Sequence, residues 1–231
     1  SLEQAVECVT ATIQSGIPVA RIELLDAVQL DACNRYSGLD YPLAPTLFFE
    51  FHGSEKGVVE QVEQVEAIAG EFGASAFNWA SRAEDRSKLW QARHDAYYAA
   101  LALRPGSKGI ATDVCVPISR LADCILQTQA DIAESGLIAP IVGHVGDGNF
   151  HLVIVINPDD ADEMARAEAL NERMVLRALA MDGTCTGEHG VGYGKIGFLE
   201  SEHGEALSVM RDIKRALDPG NIMNPGKILR M

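Results

Sequence analysis

The hydrophobic and polar positions follow two periods along the chain, one helical and one extended. Apolar residues recur at helical spacing from Leu2 through Val6 and Val9 to Ile13, whereas the run TLFFEFH at 46–52 is rich in residues that favour strands. The other segments follow one period or the other. Strands are predicted at 19–24, 46–52, 74–79 and 109–116, and helices from 2 to the Gly16–Pro18 break, then at 26–36, 54–72 with Ser54 as N-cap, 82–103, 118–134, 158–181 and 201–217.

The stretch Ile138–Ile156 predicts a β-hairpin. Apolar, β-branched flanks enclose Asp147-Gly148, a dipeptide that favours a two-residue type I′ turn. In that register His144 stands directly opposite His151, with Cβ atoms roughly 4.5–5.5 Å apart. Two imidazoles placed in this way can share one metal ion.

The order of the elements predicts an α+β fold. Strands and helices interleave, and the clear hairpin argues against an all-parallel, doubly wound sheet. We expect a mixed or antiparallel sheet with helices packed on it. The order β-α-β-α-β followed by β-α-β-β-α suggests two ferredoxin-like, duplicated split-βαβ units. The chain shows no obvious linker, which predicts that residues 1–231 form one domain.

Charge and composition narrow the classes of partner. A net charge of −14 argues against binding to nucleic acid or to an anionic membrane surface. No apolar run is long enough to span a membrane, and the opening residues Ser1-Leu2-Glu3-Gln4 do not predict a signal peptide. Five scattered cysteines without a C-x-x-C pair indicate a reducing compartment. We therefore expect a cytoplasmic location, or a mitochondrial one in a eukaryote.

A glycine-rich loop at 183–192 (GTCTGEHGVG) adds a third candidate metal ligand. Glu188 could join His144 and His151, because two histidines and one carboxylate leave open positions for a substrate. In an extended backbone His189 would point away from Glu188 and face that substrate. The alternative is that the hairpin histidines are structural and that the loop is a polar surface segment.

The predicted helix 82–103 carries a candidate clamp for an acid. Arg86, Trp90, Arg93 and Tyr97 share one face, and the guanidinium of Arg93 could grip a carboxylate in a bidentate fork. Glu50, in the strand 46–52, is interpreted as a hydrogen-bonded strand acid.

The G-x-G-x-x-G match at 192–197 is not interpreted as a dinucleotide site. No βαβ unit surrounds it, and Ile196 follows Lys195 where a Walker A loop needs Ser or Thr.

Several motifs in order carry a resemblance to a known family. GHVGDGNFH at 143–151, the loop 183–192 and the tail LDPGNIMNPGK at 217–227 resemble the C-terminal domain of FAD-linked oxidases of the vanillyl-alcohol-oxidase type. The stretches 48–54 and 104–121 look most like the branch of FAD-dependent D-lactate dehydrogenases.

The resemblance implies an activity and a set of roles. The family oxidises D-2-hydroxy acids to 2-oxo acids by hydride transfer to FAD, which is held mainly by an N-terminal FAD-binding domain outside this chain. The implied site residues are the metal ligands His144, His151 and Glu188, for zinc or manganese, the base His189, the substrate-binding Arg93, and Asn224 in a tail that returns toward the flavin.

One departure bears on the substrate. The dicarboxylate branch of the family has a lysine where this chain has Ala111, which favours a short monocarboxylate such as D-lactate. The electron acceptor, a cytochrome or a quinone, and a homodimeric state stay open. The rival interpretations are a non-catalytic metal- or acid-binding sensor and a structural interaction domain; the implied base favours the enzyme, because a sensor needs none.

Overall fold

The computed structural model describes the backbone of residues 1–231 and every side chain except those of residues 83, 88 and 92. Short 3-10 turns occur at Ile118–Arg120 and Val145–Asp147. The regular elements are α1 (Leu2–Gln14), β1 (Val19–Leu25), α2 (Ala27–Ser37), β2 (Thr46–Phe51), α3 (Glu55–Glu71), α4 (Ala83–His94), α5 (Ala96–Ala102), β3 (Lys108–Ala111), β4 (Val114–Cys115), α6 (Leu121–Ser135), β5 (Ile141–Gly143), β6 (Asn149–Ile156), α7 (Ala161–Ala180), α8 (Ile196–His203) and α9 (Ala206–Leu217).

The strands form one sheet in the order β2-β1-β5-β6-β3, and β4 also pairs with β6. Each of the strand pairings described is antiparallel. The predicted α+β class with an antiparallel sheet is therefore confirmed. Because β1 and β2 pair directly with only α2 between them in sequence, the duplicated split-βαβ arrangement is not confirmed and stays a prediction.

β6 divides the core into two layers. All eight of its residues are buried, and alternate side chains point to opposite faces of the sheet. Phe150, Leu152 and Ile154 belong to a large cluster that includes residues of α1, α6 and α7. Val153 and Val155 belong to a smaller cluster with residues of α2 and α5. His151 shares the face of Val153, so its side chain points to the side of the smaller cluster.

Side-chain caps fix the starts of two helices near the sheet edge. Ser54 accepts a hydrogen bond from the amide of Gly57 at 3.2 Å, which confirms it as the N-cap of α3. Asp26 caps α2 by accepting from the amide of Gln29 at 2.7 Å. Burial raises the pKa of the Asp26 carboxyl to about 6.

Several predicted boundaries are wrong. The helix 82–103 is divided at Asp95, whose carboxylate accepts from the side chain of Gln91. The last helix begins earlier than predicted and is broken by Gly204, whose φ of 49° suits glycine. The predicted strand 74–79 is wrong, since in the described backbone these residues belong to no sheet.

The predicted strand 109–116 is two strands with a break at Thr112 and Asp113. The hydroxyl of Thr112 accepts from the amide of Leu152 at 2.8 Å and so replaces a backbone carbonyl in the ladder. This break turns the carboxylate of Asp113 into the interior, where it is fully buried.

Within the described residues, none of the helices combines the length and the hydrophobicity that crossing a membrane would require.

Candidate metal and substrate site

The hairpin forms with a register that differs from the prediction. Val142, not His144, is the partner of His151, and His144 lies just beyond β5. The type I′ turn is replaced by a longer connection, because the 3-10 turn at Val145–Asp147 buries Val145 completely in the core. Gly148, which follows this turn, takes a positive φ of 80°.

The shift of two residues leaves both histidines on the same side of the sheet. Side chains alternate with a period of two, so His144 follows Val142 onto the face that carries His151. The centroids of the two rings are 5.8 Å apart and the rings are nearly perpendicular. The predicted meeting of the two imidazoles thus occurs by a diagonal contact.

His151 presents one particular nitrogen to the site. Its Nδ1 donates to the carbonyl oxygen of Thr112 at 2.9 Å, which leaves the lone pair of Nε2 free to face outward. Nε2 lies 3.1 Å from Oε1 of Glu188. Burial lowers the pKa of His151 and so favours the neutral ring that a metal ion requires.

His144 is oriented in the same way by an acid from β1. Its Nδ1 donates to Oε1 of Glu23 at 2.6 Å, and its Nε2 lies 3.3 Å from Oε1 of Glu188. The hydrogen bond to Glu23 raises the pKa of His144. Burial raises the pKa of the Glu23 carboxyl, but hydrogen bonds from His144 and Arg93 outweigh it, and the net pKa is lowered.

Arg93, the predicted substrate clamp, reaches Glu23 and His144 from the last turn of α4. Its Nε donates to Oε2 of Glu23 at 2.8 Å, and its Nη2 lies 3.3 Å from Nε2 of His144. Its side chain is 17% exposed, so the charge is largely withdrawn from solvent. Arg93 therefore lies beside His144 and lines the same cavity as His151.

The glycine-rich loop is anchored by the buried carboxylate of Asp113. This carboxylate accepts from the amides of Glu188 (3.1 Å) and His189 (3.0 Å) and from the hydroxyl of Thr186 (2.8 Å). A Cβ on Gly187 would lie 1.9 Å from Nδ2 of the Asn149 side chain, so only glycine lets the loop approach this closely.

Further donors complete the environment of Asp113. Asn149 Nδ2 donates to it at 2.8 Å, and Lys195 Nζ lies 3.1 Å away. Burial raises the pKa of Asp113, but these donors and the amide of His189 outweigh it and hold the pKa below its usual range.

The three predicted metal ligands meet at one point. One ligand atom each from His144, His151 and Glu188 lies within 4.8 Å of the other two. Asp113, His151 and His189 form a second such group, but the oxygens of Asp113 already accept several hydrogen bonds. The first group therefore suits a divalent cation better and leaves positions open for a ligand.

His189 faces the same site as Glu188, contrary to the expectation of opposite directions. The backbone at 187–189 is bent rather than extended, so adjacent side chains do not alternate. The ring of His189 stacks on that of His151 with centroids 4.9 Å apart, and its Nε2 lies 3.8 Å from Oε1 of Glu188. Its side chain is 43% exposed.

A cavity of about 410 Å³ joins these groups. Its polar wall includes Glu23 and Arg93, and its apolar wall includes Ala96, Ala111 and Val142. Asn224, the predicted flavin contact, is exposed and is not among the described residues that line the cavity.

Glu50 is a hydrogen-bonded strand acid, as interpreted from the sequence. It accepts from Arg21 at 2.6 Å, and its other oxygen lies 3.0 Å from Nε2 of His52.

Two acids that organise the site were missed by the sequence analysis. Glu23 stands among the apolar residues of β1, and Asp113 stands between β3 and β4. The available signal was an isolated acid inside a strand-like apolar run, since such an acid is rarely buried without a partner.

Comparison with known proteins identifies the family. The family described as FAD linked oxidases, C-terminal domain, matches residues 1–228. The chain belongs to this family.

The relatives of this FAD-linked oxidase domain carry related names. It is 54% identical to "Probable D-lactate dehydrogenase, mitochondrial" of Danio rerio, in an alignment covering 100% of this chain and 47% of that protein. It is 46% identical to "D-lactate dehydrogenase [cytochrome], mitochondrial" of Arabidopsis thaliana, covering 99% of this chain and 41% of that protein. The chain thus spans about half the length of the curated relatives it matches.

Solved structures show the same fold at low sequence identity. 4-Ethylphenol oxidase from Gulosibacter chungangensis matches with a TM-score of 0.66 at 14% identity, covering 90% of this chain and 47% of that one. p-Cresol methylhydroxylase matches with a TM-score of 0.63 at 15% identity, covering 98% of this chain and 50% of that one. These similarities support the fold alone.

Proposed function

We propose that this chain is the substrate-binding domain of a flavin-dependent dehydrogenase that oxidises a D-2-hydroxy acid, D-lactate above all, to the 2-oxo acid. One observation carries the proposal. His144 and His151 both engage Nδ1 in a hydrogen bond and direct Nε2 at Glu188, beside an arginine in a shared cavity.

The donor set fits a divalent cation such as zinc or manganese. Two imidazoles with outward Nε2 atoms and one carboxylate suit such an ion, and His144, His151 and Glu188 would hold it. The ion would supply Lewis-acid chemistry at the oxygens of an α-hydroxy acid.

Arg93 would bind the substrate carboxylate. Its guanidinium has five N–H donors, of which Glu23 occupies the Nε–H, so others are available for an anion. Ala111, Ala96 and Val142 form an apolar wall of the cavity, and the second arginine of the lining, Arg21, is already paired with Glu50, which agrees with a short monocarboxylate.

His189 would act as the base that removes the hydroxyl proton. Its half-exposed ring lies at the site next to Glu188 and is held against His151. General base catalysis of this kind typically contributes 10²–10⁴-fold to the rate.

The flavin would be held mainly by a separate domain, since this chain spans about half the length of the relatives it matches. The family name supports FAD, which would take the hydride from the substrate Cα. The side chains of Glu188 and His189 are 48% and 43% exposed, which would leave this side of the site accessible to another domain. Contact of Asn224 with the flavin remains a prediction, as does a homodimer.

The names of the relatives also bear on the acceptor and the location. "[Cytochrome]" in the name of the Arabidopsis relative supports a cytochrome rather than a quinone as the electron acceptor. "Mitochondrial" in both names supports a mitochondrial location if the source is eukaryotic. Neither name supports the cytoplasmic alternative.

The test uses the full-length protein. Anaerobic D-lactate should bleach the flavin absorbance of the wild type, and elemental analysis should find about one divalent ion per chain. His189→Gln should keep the ion but slow flavin reduction by about 10²–10⁴-fold. His52→Gln is the matched control, because His52 is an exposed histidine whose side chain pairs with Glu50, away from the candidate site.

The outcomes separate the candidate functions. Fast flavin reduction by His189→Gln would remove His189 from the reaction. A wild-type protein that binds the ion and D-lactate without reducing a flavin would support the non-catalytic sensor instead.

A further inference from the structure

Glu23 divides its carboxylate between two groups of the site. Oε1 lies 2.6 Å from Nδ1 of His144, and Oε2 lies 2.8 Å from Nε of Arg93. The side chain is 1% exposed, and it projects from β1, the strand that lies between β2 and β5 in the sheet. Its two partners lie 121 and 70 residues away in the sequence, so the fold brings all three together.

We propose that Glu23 is a positioning residue that orients a candidate metal ligand and the candidate substrate clamp with one carboxylate. The inference rests on the proposed function and deepens it, because it couples the cation site to the carboxylate site. It gives Glu23 no direct contact with the substrate.

Glu23 would act on His144 by selecting the form of its ring. An ionised carboxylate only accepts hydrogen bonds, so it selects the ring form that carries a proton on Nδ1. That form keeps a lone pair on Nε2, the atom that faces Glu188. Outer carboxylates of this kind fix the tautomer and orientation of metal-binding histidines in many proteins.

Glu23 would act on Arg93 by fixing the orientation of its guanidinium. With its Nε–H bound to Glu23 and its Nη2 beside Nε2 of His144, the guanidinium plane is fixed, and its remaining N–H groups, those of Nη1 among them, can bind an anion. Glu23 also supplies negative charge next to Arg93 and to His144, whose Nε2 would face a divalent cation. Without it, two positive centres would face each other in a partly buried cavity, at a considerable cost.

A purely structural ion pair is the alternative, and the chain offers a matched control. Asp131 on α6 likewise serves two cationic side chains, Arg173 at 3.3 Å and Arg177 at shorter distance. Its side chain is 14% exposed, and it is not among the residues that line the cavity in the described structure. Loss of either carboxylate should lower stability, but only Glu23 should affect binding.

The experiment compares Glu23→Gln, Glu23→Asp and Asp131→Asn in the full-length protein. Three quantities are measured: thermal midpoint, cation affinity by competition with a chelator, and the separate kcat and KM for D-lactate at saturating cation. Glu23→Gln should lose about 10- to 100-fold in cation affinity. Its KM should stay raised when the cation is saturating, because the orientation of Arg93 does not depend on the ion.

The other variants sharpen this result. Glu23→Asp keeps the charge but is shorter by one methylene, so it should recover part of the lost cation affinity or of the raised KM. Asp131→Asn should lower the thermal midpoint while cation affinity and KM stay at wild-type values. A Glu23→Gln variant that behaves like Asp131→Asn would overturn the assignment.

The same experiment tells this failure from failure of the proposed function. A wild-type protein without bound cation and without D-lactate turnover would overturn the proposed function, and the role of Glu23 with it. A wild-type protein that shows both, matched by Glu23→Gln in affinity and KM, would overturn the role of Glu23 alone.

Discussion

The two halves of the candidate site are built in different ways. His144 and His151 come from the β5–β6 hairpin, where strand pairing and a buried core hold them. Glu188 and His189 come from a loop without regular structure, and their side chains are 48% and 43% exposed. The hairpin half, His144 and His151, is held by many individually weak pairing and packing contacts. The loop half, Glu188 and His189, is held by a few strong hydrogen bonds.

Each half uses one buried carboxylate, but for different purposes. Glu23 contacts two side chains, that of His144 just beyond β5 and that of Arg93 on α4, and we propose that it orients them. Asp113 holds the backbone itself, through the amides of Glu188 and His189. The loop should therefore be the more vulnerable half, since no ladder of hydrogen bonds replaces Asp113 if it is lost.

The largest effect is expected from Asp113→Asn. An asparagine turns an NH₂ group toward donors that need an acceptor, and it leaves Lys195 without its buried counter-charge. We expect a loss of about 3–5 kcal/mol in the free energy of unfolding. Turnover of D-lactate should fall by at least the 10²-fold that a general base supplies, because His189 is displaced.

The control for Asp113→Asn is Glu163→Gln. Glu163 also accepts from a backbone amide, that of Asn157, and from a cation, Arg104, but it does not line the cavity in the described structure. Denaturant unfolding and steady-state kinetics of both variants check the prediction. Equal kcat values for Asp113→Asn and the wild type would show that the loop does not need this anchor.

A smaller effect is expected from Gly187→Ala. The new methyl would meet Asn149 Nδ2 at 1.9 Å and Asp113 Oδ1 at 2.9 Å, so the loop must move outward. Overpacking of this kind costs about 1–3 kcal/mol, and the shift of Glu188 should weaken cation binding.

Gly194→Ala, two residues beyond the loop, is the matched control, because a Cβ there meets no atom within 4 Å. Thermal unfolding and chelator competition compare the two alanine variants. If both alanines leave cation affinity unchanged, the close approach at Gly187 has no role in placing Glu188.

The smallest effect is a pH dependence of the loop anchor. The pKa of Asp113 lies below its ordinary value of 3.8, since its hydrogen-bond donors outweigh the effect of burial. The native state therefore binds fewer protons than the unfolded chain in acid, so the stabilisation is present above the ordinary pKa and is lost as the pH falls. The difference in thermal midpoint between wild type and Asp113→Asn should narrow below about pH 4.

Gly187→Ala supplies the reference for this measurement, because the substitution introduces and removes no titratable group. Its difference from the wild type should change less over the same pH range. A gap between wild type and Asp113→Asn that stays constant into acid would contradict a lowered pKa.

Much of the hairpin half could be predicted from the sequence. Apolar, β-branched flanks around Asp147-Gly148 predicted two paired strands, and β5 and β6 confirm them. The register could not be predicted, since the turn preference of Asp-Gly competes with burial of Val145, and a local signal does not weigh the two.

The residues of the loop half were predicted, but the interaction that fixes the conformation of the loop was not. Glycine spacing and a Glu-His pair marked the loop 183–192, yet its conformation is set by Asp113, about 75 residues earlier in the chain. Glu23 was missed for the same reason, because its partners are distant in sequence. Contacts of this range depend on the tertiary fold, which periodicity alone does not specify.

The attachment of α4 has a consequence for local opening. Among the side chains that the structure describes in α4, none is fully buried, whereas every residue of β6 is. The described contacts of α4 with the sheet include the ion pair of Arg93 with Glu23 and the stacking of Arg21 on Trp90.

A helix held in this way should exchange its amide hydrogens with solvent much sooner than the central strand. Each such fluctuation would carry Arg93 away from the cavity. Release of a bound anion could therefore proceed through fraying of one helix, while the strands and their histidines remain in place.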